Sequence, residues 1–87
     1  MAYDASRAFK NAFLGVKSDS TVISGFGFYV GGTGDVTVMP TDQIDKTSPT
    51  AVTFSACPVG FVIRDFCFAK LMSTGTTATN IIIFGPV

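Results

Sequence analysis

Residues 26–38 read FGFYVGGTGDVTV, and the reading of this stretch decides the fold class. Phe26, Phe28 and Val30 alternate with Gly27 and Tyr29, the two-residue period of a strand that turns one face to a core. Gly31, Gly32 and Gly34 interrupt the alternation, and Val36, Thr37 and Val38 resume it. The pattern predicts a β-hairpin whose glycines supply the positive φ of a tight connection.

Outward from this stretch the chain keeps the same grammar. Pro40 ends the second strand, and residues 41–50, with Asp42, Asp45, Lys46 and Pro49, read as an exposed loop. Val52, Phe54 and Ala56 share one face of a further strand, with Thr53 and Ser55 on the other. Pro58 and Gly60 bracket a turn. Residues 66–72 are apolar apart from Lys70, the mark of a strand covered on both faces, with Arg64 and Asp65 at the bend leading into it. A polar turn around Gly75 leads to a last strand over residues 80–84, stopped by Gly85 and Pro86. No stretch carries a helix of three turns. Thr, Val and Ile supply 26 of the 87 residues, which favours strands as well. The expected fold is all-β: a small antiparallel β-sandwich or barrel-like domain over residues 21–87, preceded by an extended N-terminal arm over residues 1–20.

The arm differs in composition, holding Arg7, Lys10 and Lys17 of the six basic residues. Asp4 or Ser6 is suited to cap a short helix with Phe9 and Phe13 on one face, but one or two turns of isolated helix are marginal in water. An extended arm whose Phe side chains dock on a neighbour is the preferred reading.

Composition then narrows the function. The chain has no His, Glu or Trp, so every catalytic arrangement built on imidazole is excluded and any carboxylate pair would be two Asp. No catalytic residues, cofactor or metal are expected. Six basic residues balance six acidic ones, which leaves no basic patch for phosphate, so no nucleic-acid partner is expected. The longest apolar run, residues 81–84, is far short of a membrane span. Gly25, Gly27 and Gly31 fail the dinucleotide spacing, and the loop 31–35 lacks the Lys and the helix of a phosphate cradle. Asp42 and Asp45 read as solvated. Cys57 and Cys67 lack metal-ligand spacing and are expected as two buried free thiols in a reducing compartment, with a disulfide as the alternative should residues 61–68 return beside 51–57.

Size argues for association. A domain this small buries only about 60% of the surface its unfolded chain exposes, so a homo-oligomer is expected. Ile81, Ile82, Ile83 and Phe84 make both faces of the last strand apolar, so one face needs cover from outside a single small sheet. With Phe9, Phe13 and Leu14 of the arm, these four are the candidate interface residues.

One group of motifs resembles a known family. Tyr29-Val30-Gly31-Gly32-Thr33-Gly34-Asp35-Val36, then Val52-Thr53-Phe54 with Pro58-Val59-Gly60, and above all Ser73-Thr74-Gly75-Thr76-Thr77-Ala78-Thr79, occur in this order and with similar spacing in the small head-spike base proteins of tailed phages and phage-derived gene transfer agents. Ser18-Asp19-Ser20-Thr21 resembles the polar segment ahead of that family's first core strand. The likeness covers about residues 13–84. Residues 41–50 look like an insertion, and residues 61–68 are more aromatic than the family's Val- and Arg-rich strand. The resemblance implies a non-enzymatic virion protein on the capsid surface, assembled in the host cytoplasm, in a ring at the fivefold vertices. A pentamer is then favoured over a trimer, with the major capsid protein and a spike or fibre protein as partners. A capsid cement or decoration protein is the alternative. A small carbohydrate-binding module using Tyr3 and Tyr29 is a remote one.

Overall fold

A computed structural model of the chain describes residues 11–85. Six strands carry the fold: β1 (Asn11–Leu14), β2 (Gly25–Gly32), β3 (Gly34–Pro40), β4 (Val52–Cys57), β5 (Val62–Leu71) and β6 (Thr79–Gly85), with one 3₁₀ turn at Thr41–Gln43. They form one sheet in the order β1-β6-β2-β5-β3-β4, every neighbour antiparallel. The all-β expectation holds, and no α-helix occurs among the described residues.

The sheet is curled, and β5 is where it bends. It pairs with β2 on one side (Tyr29↔Val62, Phe28↔Ile63, Gly27↔Arg64 and, past a bulge, Gly25↔Phe68), and its last part pairs with β3 on the other (Pro40↔Phe68, Met39↔Lys70, Val38↔Leu71). The bulge, between Arg64 and Phe68, holds Asp65 in the left-handed region at φ 60, which Asp tolerates better than most side chains. The bend expected at Arg64 and Asp65 is therefore present. Curling brings the approach to β6 against the start of β3: Thr77 and Ala78 both donate their backbone N–H to the Asp35 carbonyl, at 2.8 and 3.1 Å.

Inside the curl lies a single core. Phe28, Val30, Val36, Val38, Cys57, Phe68, Leu71, Ala78, Ile81 and Ile83 are all buried. Phe28 sits at its centre, with the rings of Phe54 and Phe68 edge-on at 5.5 and 6.1 Å. Such aromatic pairs add about 0.5–1.5 kcal/mol each beyond area burial.

The expected β2–β3 hairpin is absent. A single residue, Thr33, separates the two strands, yet β5 lies between them in the sheet. The chain rounds a corner there instead, pressed against residues 78–80. A Cβ on Gly31 would lie 2.6 Å from the Asn80 carbonyl oxygen, and one on Gly34 would lie 2.5 Å from the Ala78 nitrogen. The glycines answer a close approach of backbones, not the demands of a two-residue turn. The hairpin in this region is β3–β4, closed by the exposed loop that the sequence places at residues 41–50.

Three further expectations change. The boundary at residue 20 falls too late, because β1 lies before it and is an edge strand of the sheet, pairing with β6 from Asn11↔Gly85 to Leu14↔Ile82. Residues 15–24 return to the sheet as a strap, with Gly15 N–H on the Ile81 carbonyl, Ser18 N–H on that of Leu71 and Ile23 N–H on that of Ala69. Cys57 is buried but Cys67 is exposed, because alternation along β5 puts Phe66 and Phe68 on the core side and Cys67 opposite; both thiols are free. On β4 the alternation breaks at Ala56, in the left-handed region at φ 54, and Cys57 takes the inward place expected of Ala56.

Candidate interaction surface

Residues directly opposite in an antiparallel pair point to the same face of the sheet. On the face away from the core, the register lines up Leu14 with Ile82, Ile82 with Tyr29, and Tyr29 with Val62. This is an apolar row across four strands. A second row runs beside it: Ala12, Phe84, Gly27 and Arg64. Leu14 and Val62 at the ends are 61% and 44% exposed, and Tyr29, Ile82 and Phe84 between them are half-buried. Arg64 is the only charged residue of the two rows and lies at one corner. No helix or second sheet covers this face among the described residues.

The seven residues expected at an interface divide by register. Leu14, Ile82 and Phe84 come together on the outer face. Ile81 and Ile83, 2% and 0% exposed, are used up in the chain's own core and are removed from the interface. Phe13 is opposite Ile83, so it faces inward too and packs against the core partly buried. Phe9 lies outside the described residues, as does Tyr3. Sequence reasoning missed Val62 and Ala12, whose place follows from which strands pair. Tyr29 had a signal, as one of two aromatics with a hydrogen-bonding tip, but not for this role.

The polar groups are engaged in holding loops. Asp19 in the strap accepts the backbone N–H groups of Ser73 and Thr74 at 2.8 and 2.9 Å and the Thr74 hydroxyl at 2.5 Å. The Thr74 hydroxyl, then these N–H groups and the nearby Lys70 ammonium, hold its carboxyl below the ordinary carboxylate value. Asp35 accepts the Ala56 N–H at 2.8 Å, which secures the bulge in β4. Thr37 Oγ1 and Thr53 Oγ1 are 2.9 Å apart, and the Thr37 N–H donates to Thr76 Oγ1 at 2.9 Å. Thr37 and Thr76 are buried at the core's polar edge, and Thr53 closes it from the exposed side. Burial pushes the Cys57 thiol up, the Asp35 carboxylate adds to the shift, and its S–H donates to the Phe54 carbonyl. No group of three or more His, Cys, Asp or Glu converges among the described residues. What the arrangement offers chemically is surface for association: a charge-poor outer face and, among the described residues, two open sheet edges.

No family model matches the chain, and neither a curated protein nor a solved structure matches it.

Proposed function

We propose that this chain is a structural virion protein of a tailed phage, an oligomeric base on the capsid that attaches a head spike or fibre. The observation that carries the reading is the outer face, where Leu14, Ile82, Tyr29 and Val62 form one apolar row with no covering layer among the described residues. Large apolar patches rimmed by polar groups mark association sites. The motifs that resemble those of head-spike base proteins suggest the location. Their long turn, residues 73–79, is here the segment that Asp19 clamps and that lays Thr76 and Ala78 against β3.

In this reading the outer row seats the ring on the major capsid protein, and the loop 41–50 is turned to solvent or the fibre. Val62→Asp tests it, because Val62 is part-exposed and outside the core. Particles assembled with this variant are expected to show empty vertices by cryo-EM, while the purified variant keeps its far-UV circular dichroism. Full vertex occupancy by the variant would overturn the seating surface. Wild-type density spread over the whole shell would replace the spike base by a decoration protein.

A further inference from the structure

Among the described residues the sheet has two open edges, and hydrogen bonds show which backbone groups each presents. In β4 the clue is Thr37 of the neighbouring strand. Its N–H is taken by Thr76 Oγ1, and its carbonyl accepts the Met72 N–H at 2.9 Å, so Thr37 turns away from β4. Thr37 and Thr53 are therefore a non-hydrogen-bonded pair, and the N–H and C=O of Thr53 point out of the sheet. Strand alternation gives Ser55 the same direction, while the Ala56 N–H points back to Asp35. In β1 the Gly15 N–H binds the Ile81 carbonyl, which fixes the same phase: Phe13 bonds to β6, and Ala12 and Leu14 direct their backbone groups outward.

The two edges match. Each presents two outward residues at a spacing of two, Ala12 and Leu14 on one side and Thr53 and Ser55 on the other. The regular run of β4, residues 52–55 before the bulge at Ala56, has the four-residue length of β1. Neither strand contains a charged residue or a proline, the usual guards of an exposed edge. With none of these guards on either side, one strand edge fits the other without like-charge repulsion.

We infer that neighbouring copies of this chain join by laying β1 of one subunit along the open edge of β4 of the next. A second copy is favoured as occupant because the chain itself carries a complementary edge at each end of one sheet. A β4-to-β4 contact would leave every β1 edge open, whereas the head-to-tail contact covers both edges of each subunit when the rotation closes into a ring. The inference rests on the oligomeric part of the proposed function and is independent of the particle.

The test uses two full-length variants. Ser55→Pro removes an outward donor from β4, and Ala12→Pro removes one from β1, leaving the inward ladders in place. Sedimentation of the wild type at micromolar concentration is expected to give a closed oligomer, and each variant alone a monomer. Mixing the two variants is expected to give a dimer with one of each, since one keeps an intact β4 edge and the other an intact β1 edge. Ala12→Pro dimerising alone would overturn the head-to-tail contact in favour of β4 on β4. Both variants assembling like the wild type would overturn any use of the edges, with the oligomer itself intact. A monomeric wild type would instead overturn the oligomeric reading beneath it. Circular dichroism checks that each variant folds. Where a proline variant does not, Ser55→Lys or Ala12→Lys takes its place and must give the same pattern.

Discussion

The two faces of β6 carry nearly the same kind of side chain and have different fates. Ile81 and Ile83 are sealed in the core, with Val30 and Phe28 opposite them on β2. Ile82 and Phe84, one residue away in each case, lie half-buried on a face that no second sheet or helix covers among the described residues. Apolar composition alone therefore does not assign a side chain to the core. The curl of the sheet does, because it encloses one face and leaves the other to partners.

The sharpest way to break this contrast is to remove the centre of the enclosed side. Phe28→Ala empties a site that is 0% exposed and surrounded by other Phe rings, and should cost about 3–5 kcal/mol. Denaturant titration checks it, and the loss is expected to leave little folded protein in so small a domain. The adjacent pair on β6 gives the direct comparison. Ile83→Ala is expected to cost about 2–5 kcal/mol, and Ile82→Ala less than about 1 kcal/mol in the dissociated subunit. Equal losses at the two positions would mean that the outer face is covered within the monomer.

Gly34→Ala tests the corner that joins the two sides of the curl. The new methyl would meet the Ala78 backbone, which cannot step aside as a flexible side chain can, and a cost of about 1–3 kcal/mol is expected. Cys57 is the reporter, since it is buried and paired in register with Gly34. Its labelling by a thiol reagent should accelerate in the variant, whereas Cys67, already exposed, should label at the wild-type rate.

The smallest effect belongs to the strap. Asp19 has its carboxyl held below the ordinary value of 3.8 in the folded chain, so its contribution is present above that value and is lost as the pH falls through the lowered one. Asp19→Asn should therefore lower the melting temperature slightly at neutral pH and remove part of its acid sensitivity below pH 3.8, so that variant and wild type converge in acid. An unchanged acid limb would show that the clamp on Ser73 and Thr74 does not couple to folding.

Much of the fold was legible in residue order. Alternation marked β2, β3 and the outer part of β4, Gly75 marked the turn before β6, and Asp65 marked the bend in β5, because local steric preference acts through a few bonds. The β2–β3 hairpin misled because glycine has two uses, positive φ and close approach, and the sequence does not distinguish them. The second use depends on Asn80 and Ala78, more than forty residues away. Of the candidate surface, Leu14, Ile82 and Phe84 were visible as unplaced apolar residues. Val62 and Ala12 were not, because their membership follows from register between distant strands.

Residue order is enough to make the chain all-β, to deny it imidazole chemistry, and to load it with more apolar surface than a small sheet can enclose on one side. Those properties follow from side-chain identity and two-residue periodicity. Which of those side chains turn inward, which strand lies beside which, and where the sheet stays open among the described residues are set by the folded arrangement. The reason is that pairing and register are long-range choices, and a shift of one residue exchanges the two faces of a strand.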